Sequence, residues 1–395
     1  MLLGALVLAQ TLDLTGYVAA RGVNATGPAS WLEGGFGRLE AGGDRDVFTA
    51  VAHVGVDWHP TTWLDLHASA AARSDAGGDG AGLVEAFADV HREFAFDELR
   101  VRAGYFFLPT SKENKDDNWA SPYTISFSAL NTWIGQEVRP VGVDLQYRHT
   151  TGAGHTVTGG TTAFRGNDTM GTILGWRGWS VGDRLSTYGE VLPLPPLGSL
   201  ADSGPFFRQR DDGTQPFGDD LDGRTGYSAR VRYGVPQRGN VQYTYLDNGG
   251  DRELYGAEYS WHTRFHLIGA ELGDPDTLIA AAEHMSGDTY MGVFDPFVAA
   301  DFSATYLLVS AKRGRNRATV RYELFSTHDL DGTAAENNDE SGRSWTLTWM
   351  FDVHAHVRAA LEFTQVTGNR PAAQQYGYEP STTGHSVTLE GRYRF

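Results

Sequence analysis

Apolar and polar residues alternate along much of this chain. At its end Val387, Leu389, Gly391, Tyr393 and Phe395 alternate with polar or charged residues. This period of two is the pattern of a β-strand with one apolar and one polar face. A lone strand of this kind would leave an edge prone to aggregation, whereas a closed barrel pairs it with another strand. The pattern therefore predicts a barrel if the rest of the chain repeats it.

The alternation recurs along the whole sequence, in segments of about ten to fourteen residues. The length suits a tilted strand that crosses a membrane, and an even strand number is usual for bacterial barrels. We therefore predict an all-β fold, a transmembrane antiparallel β-barrel of about 18 strands, with 16 as the alternative count. The predicted strands are 13–23, 47–59, 62–74, 83–94, 97–108, 136–149, 155–165, 170–180, 184–194, 223–235, 238–248, 257–271, 276–287, 301–312, 315–328, 342–353, 356–367 and 385–395.

The links between these strands differ in length at the two ends of the predicted barrel. Links after even strands are short, whereas most of those after odd strands are long and acidic, which is typical of outer-membrane barrels. Nothing divides the chain into parts, so 10–395 is predicted to be one barrel domain. The long links are 24–46, 109–135, 195–222, 288–300, 329–341 and 368–384.

Composition narrows the function classes. The chain has no Cys, which excludes disulfides and thiolate metal sites. Its net charge of −17 argues against a nucleic-acid partner. No cofactor or metal is expected. Residues 1–9 read as a residual signal peptide, because Leu2 to Leu8 is apolar and Val7-Leu8-Ala9 resembles a cleavage site. The alternative is that this start forms a buried first strand.

Two segments resemble known families. The terminal strand, closing on Tyr393 and Phe395, resembles the sorting signal of bacterial outer-membrane barrels. Gly104 to Pro109, followed by Glu113-Asn114, resembles the strand-to-loop passage of phosphate-selective-type porins. The resemblance implies a Gram-negative outer membrane, recognition by the barrel-assembly machinery, and a loop 109–135 that folds into the pore.

The resemblance of the loop and the polar faces of the strands together give the expected site residues. The loop departs from the basic lining of phosphate-selective porins by mixing both signs of charge. Its expected constriction residues are Lys112, Glu113, Lys115, Asp116 and Asp117. The polar strand faces are expected to line a water-filled pore through Arg100, Arg102, Arg230, Arg232, Arg317, Arg321, Glu323, Arg358 and Arg392.

The sequence thus predicts a porin rather than an enzyme, a passive diffusion channel for small hydrophilic solutes or ions. Outer-membrane lipids are the expected surroundings, and a homotrimer is an assembly that the resemblance allows. Two alternatives stay open. One is a non-conducting structural or binding barrel. The other is an outer-membrane barrel hydrolase, for which the chain offers no G-x-S-x-G or comparable nucleophile motif.

Overall fold

The computed structural model is a closed barrel of sixteen antiparallel strands. It describes residues 11–210, 213–216, 220–295, 297–333 and 336–395. The signal peptide expected over residues 1–9 lies outside these ranges. The fold-class prediction is confirmed, with the alternative count of sixteen strands. Among the described residues, no helix has the length and apolar character needed to cross a membrane.

The barrel strands follow one another around the wall in chain order. They are β1 (Thr11–Thr26), β2 (Arg45–Thr61), β3 (Leu64–Asp75), β4 (Gly78–Glu93), β5 (Asp97–Tyr105), β6 (Val141–Thr150), β7 (Thr156–Arg165), β8 (Gly226–Val235), β9 (Gly239–Asp247), β12 (Trp261–Asp274), β13 (Leu278–Met291), β14 (Val298–Arg313), β15 (Asn316–Asp329), β16 (Glu340–His354), β17 (Val357–Asn369) and β18 (Ser381–Arg394). A separate hairpin, β10 (Leu254–Tyr255) and β11 (Glu258–Tyr259), stands outside this sheet.

In the part of the chain that the structure describes, helical segments lie in the connections and not in the barrel wall. The α-helices are α1 (Ala129–Glu137) and α2 (Phe207–Arg210). A π-helix spans Ile173–Arg177. Short 3-10 helices span Trp31–Glu33, Asp117–Trp119, Gly198–Leu200 and Pro371–Tyr376.

The wall closes where β1 pairs with β18. The register runs from Tyr17 opposite Arg394 to Thr26 opposite His385. Beyond it, the Gly16 N–H donates to the Phe395 carbonyl at 3.2 Å, and the Phe395 N–H donates back at 3.1 Å. Each barrel strand is thus paired on both sides, as the hydrocarbon core of a membrane requires.

Side chains alternate across the wall as their sequence pattern predicts. In β18, Val387, Leu389 and Tyr393 are exposed on the outer face, whereas Glu390 and Arg392 are buried on the inner face. Exposed large apolar residues continue around the other strands, from Leu12 and Leu14 in β1 to Leu361 in β17. So many exposed apolar side chains would be a liability in water and suit contact with lipid.

The two ends of the barrel differ. Long connections such as 27–44, 106–140 and 166–225 share one end, here called the loop end. The opposite end, the turn end, carries short links such as 62–63, 94–96 and 314–315. The link between β3 and β4 is the short exception at the loop end.

Two of the predicted strands are wrong. Segments 170–180 and 184–194 belong to the connection 166–225, which enters the barrel. Left-handed backbone at Gly171 and Gly178 interrupts the first segment, and Trp176 and Trp179 are fully buried inside the barrel. Because these two predicted strands are consecutive, removing both leaves the predicted direction of every later strand across the membrane unchanged.

Candidate functional site

Connection 106–140, here called the inner loop, lies within the barrel. Phe107 is buried and stacks on Trp119, with ring centroids 4.2 Å apart. The Ser128 side chain caps α1 by accepting the Asn131 N–H at 3.3 Å, and all nine residues of α1 are buried. Large side chains thus anchor this loop inside the barrel rather than outside it.

The inner face of β12 and β14 is apolar where α1 packs against it. The Trp133 ring lies 5.7 Å from Phe265 and 5.4 Å from Phe302, centroid to centroid. On β12 the polar residues on either side of Phe265 therefore face outward, and His266 bonds the Tyr243 hydroxyl at 2.7 Å. His262 lies on the same outer face of β12.

Carboxylates on the barrel wall receive backbone N–H groups of the inner loop. Glu362 accepts the Ile125 and Ser126 N–H groups at 2.6 and 2.9 Å. Glu323 accepts the Ala129 N–H at 2.5 Å, and Glu85 accepts that of Phe107 at 2.8 Å. An irregular loop leaves such donors without partners, so these acids satisfy groups that would otherwise be buried unpaired.

Arg321 completes this attachment. Its guanidinium donates to the Ser126 and Phe127 carbonyls at 2.7 and 2.9 Å. It forms ion pairs with Glu113 and with Glu323, and its side chain is 0% exposed. The expectation that Arg321 and Glu323 line water, and that Glu113 faces a constriction, is therefore wrong. The charges were identified correctly as inward-facing, but the inner loop covers them.

The second inner segment, 166–192, is held by α1 in turn. Glu137 accepts the N–H groups of Gly171 and Ile173, both at 3.0 Å, and the Trp133 indole N–H at 2.5 Å. Burial raises the pKa of Glu137 to about 7. Arg139 donates to three carbonyls, including that of Ser186 at 2.6 Å. The inner loop and this segment thus form one packed interior.

A turn-end recess of about 540 Å³ remains open below the inner loop. The Lys112 ammonium there donates to Asn240 Oδ1 at 2.8 Å and Gln242 Oε1 at 3.1 Å. Burial, reinforced by the nearby Arg232 charge, lowers the pKa of Lys112 to about 7. Lys115 forms an ion pair with Glu271. Asp116, Arg102 and Arg232 also line this recess, while Asp117 is exposed beside it.

The remaining predicted arginines face inward but are paired with wall groups. Arg230 lies 2.6 Å from Asp144, Arg358 lies 3.0 Å from Asp352, and Arg392 lies 2.8 Å from Glu390. Arg102 and Arg100 share Asp89. Arg317 donates to Ser310 Oγ at 3.0 Å and to the Pro275 carbonyl at 2.8 Å. These pairings cancel much of the positive charge that the sequence alone assigns to the interior.

A small loop-end recess of about 80 Å³ lies against β1 to β3 and β17 to β18. Arg21 spans it, with two bonds to Asp183 at 2.9 and 2.7 Å and one to Glu390 at 2.8 Å. Glu40, from connection 27–44, also lines it. Sequence reasoning missed this cluster, because Arg21 and Asp183 are 162 positions apart. The only available signal was an Arg on the polar face of β1.

No protein-family model and no curated protein sequence matches the chain. Several solved structures share its fold. The outer membrane channel DcaP of Acinetobacter baumannii is 12% identical with a TM-score of 0.57, covering 98% of this chain and 97% of its own. An anion-selective porin from Comamonas acidovorans is 11% identical with a TM-score of 0.51, covering 98% and 100%. OmpT of Vibrio cholerae, an outer membrane protein in a trimer form, is 12% identical with a TM-score of 0.53, covering 98% and 100%. At such identities the likeness shows a porin-type barrel fold.

Proposed function

We propose that this chain is a porin of the Gram-negative outer membrane, a passive channel for small hydrophilic solutes or ions. The observation that carries the proposal is the wall itself, which is closed, apolar outside and charged inside. An apolar outer face requires lipid, and a charged inner face requires water or paired partners. The shared fold with a channel and a porin supports the same function.

The inner loop is the proposed constriction. Ala120 packs against Tyr17, Ala19 and Val51 on the inner face of β1 and β2. Val51 also lines the loop-end recess, and Trp119, next to Ala120, lines the turn-end recess, so we propose that the constriction lies at this contact. Lys115 and Asp116 stand at its turn-end side.

Selectivity should be weak. Arg102, Arg232 and Lys112 surround the turn-end recess, whereas Glu85, Asp116 and Glu271 lie among them. Charges in a narrow passage are screened less than charges in exposed loops, so the interior decides the preference at high salt. Both signs are present, and we propose a slight preference for anions without specificity for phosphate.

A homotrimer is the proposed assembly. The outer faces of neighbouring strands β2 to β4 carry small side chains, namely Ala50, Ala52, Ala68, Ala70, Ala72, Ala86 and Ala88. Small outward residues let walls approach closely within a membrane. Sedimentation or light scattering of the detergent-solubilised barrel tests this, and a monomer at all detergent levels would contradict it.

Conductance across a planar bilayer tests the porin proposal. The wild-type protein should give stepwise currents. Deletion of 115–118 should enlarge each step because it removes side chains from the proposed constriction. Trp119 and the ion pair of Glu113 with Arg321 remain and should keep the rest of the inner loop attached. A matched control replaces Arg264 and Asp288, an ion pair at 3.0 Å on the outer face, by Ser and should leave the step size unchanged.

A non-conducting binding barrel is the second candidate, favoured by how fully α1 and segment 166–192 fill the interior. Correctly folded protein that gives no current in any bilayer would support it against the porin. The hydrolase alternative is tested separately with lipid and ester substrates, where turnover by purified protein would establish an enzyme.

A further inference from the structure

An apolar groove of about 590 Å³, here called the outer groove, lies on the lipid-facing side of β14 to β17. Ala311 and Ala318 form its floor, and they lie directly opposite each other on β14 and β15. Larger apolar side chains surround this pair, namely Val309, Val320, Leu347, Trp349, Leu361 and Phe363. The groove exists because two adjacent outward positions carry alanine where their neighbours are bulky.

Trp349 is held in place as one wall of the outer groove. It lies opposite Ala318, and its indole N–H donates to Asn316 Oδ1 at 3.1 Å. Its ring stacks on that of Phe351, with centroids 6.2 Å apart. Tryptophan with an apolar ring and a satisfied N–H is typical of the boundary between hydrocarbon and headgroups. The outer groove therefore reaches the edge of the hydrocarbon region at the turn end.

Two arginines lie at the turn-end mouth of the outer groove. Arg313 follows Ala311 by two positions on the same outward face of β14, about 7 Å nearer the turn end. Arg315, in the turn between β14 and β15, donates to the Val353 carbonyl at 2.8 Å. Its guanidinium lies 6.0 Å from the centre of the Phe351 ring. These contacts hold the Arg315 guanidinium against the outer wall beside the groove.

Neither arginine is neutralised by a neighbouring acid. In the ranges that the structure describes, no carboxylate oxygen lies within 4.0 Å of the Arg313 or Arg315 guanidinium. The nearby acids serve other cations, since Asp276 pairs with Lys312 at 2.8 Å and Asp352 pairs with Arg358 at 3.0 Å. Two free positive charges at the end of an apolar groove are complementary to a molecule with an anionic head and a hydrocarbon chain.

The position of the outer groove indicates which membrane leaflet supplies that molecule. Short turns of outer-membrane barrels face the periplasm, so the turn end meets the headgroups of the periplasmic leaflet. Basic residues at the edge of a hydrophobic span attract anionic lipid headgroups. The proposed trimer face on β2 to β4 does not cover the groove, because β18 and β1 separate it from β17.

We propose that the outer groove binds one anionic phospholipid of the periplasmic leaflet. The phosphate contacts Arg313 and Arg315, and one acyl chain lies over Ala311 and Ala318 against Trp349. This binding goes beyond the porin proposal, since it requires the barrel to lie in a membrane but does not require conduction.

Fluorescence quenching of Trp349 measures occupancy of the outer groove. The folded barrel is placed in phosphatidylcholine vesicles with a minor fraction of either phosphatidylglycerol or phosphatidylcholine whose chains are brominated near the headgroup. The difference between wild type and Trp349→Phe isolates the quenching of Trp349. Brominated phosphatidylglycerol should associate there at least about fivefold more strongly, which is roughly what one arginine adds toward an anionic lipid. Trp345, exposed on the same strand but outside the groove, should show no such preference.

Substitution of the arginines separates the site from general surface charge. Arg313→Gln combined with Arg315→Gln should abolish the preference of Trp349 for phosphatidylglycerol. Arg92→Gln combined with Arg238→Gln is the matched control, because it removes two exposed arginines from the turn end elsewhere around the barrel. The control should keep the wild-type preference.

Substitution of the groove floor tests the acyl chain. Ala318→Leu should fill the outer groove and reduce the preference for phosphatidylglycerol even though both arginines remain. Ala229→Leu, on the outer face of β8, should leave it unchanged. Native mass spectrometry of the delipidated wild type with equal amounts of the two lipids should retain one phosphatidylglycerol per chain, and this measurement needs no variant to fold.

The outcomes separate this proposal from the others. Equal quenching of Trp349 by the two brominated lipids, or an unchanged preference after loss of both groove arginines, would overturn the lipid site. Absence of quenching by either lipid would show that a second copy of the chain covers the groove, and displacement by inorganic phosphate would reduce the site to one for a bare anion. Either result would contradict the proposal. A lipid preference in a barrel that never conducts would contradict the porin alone, whereas conduction without the preference would contradict the lipid site alone.

Discussion

Replacing Arg321 by Met should detach the inner loop from the wall. The substitution removes both ion pairs and leaves Glu113 and Glu323 buried without a cation. Breaking a buried pair in this way costs about 3–5 kcal/mol. Glu113 keeps the Ser128 N–H and Glu323 keeps that of Ala129, so we expect the lower value, about 3 kcal/mol.

Trypsin can report this detachment, because Lys112 and Lys115 are cleavage sites within the inner loop. If docking is fast, the cleavage rate follows the population of the undocked loop. A loss of about 3 kcal/mol corresponds to roughly a hundredfold faster cleavage. The currents should also become larger and noisier. Arg321→Met combined with Glu113→Gln should recover part of the protection, since one unpaired carboxylate is then removed.

Arg100→Met is the matched control, because Arg100 pairs with Asp89 on the wall and is partly exposed. It should leave cleavage of the inner loop unchanged. The reasoning is refuted if Arg321→Met is cleaved at the wild-type rate while its reversal potential moves toward cation selectivity. That result would mean that Arg321 lines the passage, as the sequence alone suggests.

Three further outcomes are expected. The lowered pKa of Lys112 means that its charge is present below about pH 7 and lost above it, so reversal potentials should shift toward cations between pH 6 and pH 8, and less in Lys112→Met. Deleting Phe395 removes two backbone hydrogen bonds at the barrel closure and an outer apolar ring, so heat-modifiable migration on gels should show impaired assembly; wild-type yield would contradict a sorting role. Gly171→Ala places a Cβ 2.0 Å from a wall threonine hydroxyl and should cost about 1–3 kcal/mol in guanidinium unfolding, whereas Gly159→Ala, with open space around it, should cost far less.

The wall could be predicted because its pattern is local. In β15, Val320 and Leu324 face out while Arg317 and Arg321 face in, and a period of two within one strand is enough to show it. The same period of two gives the wrong face where the barrel interior is apolar, because the polar residues then face outward. β12 turns Phe265 inward because α1 meets it there, and nothing in β12 itself reveals that partner.

The attachments of the interior could not be predicted, because they join distant residues through single hydrogen bonds. Glu362 meets Ser126 across 236 positions, and Glu340 meets Trp179 across 161. The sequence shows each as an ordinary acid on a polar strand face. Their role depends on which loop segment arrives beside them, and local propensity holds no information about that.

The Asp183–Arg21–Glu390 bridge affects how easily β1 and β18 can separate. Arg21 belongs to β1 and Glu390 to β18, the two strands whose pairing closes the barrel, and 369 positions separate them. Asp183, which belongs to segment 166–192 of the packed interior, accepts two hydrogen bonds from Arg21 at this pairing. Separation of β1 from β18 would therefore disrupt the contacts of segment 166–192. We expect that the barrel cannot open at this seam while the inner loop and segment 166–192 stay packed inside it. The β1–β18 pairing and the packed interior should therefore unfold together, whether force or denaturant is applied.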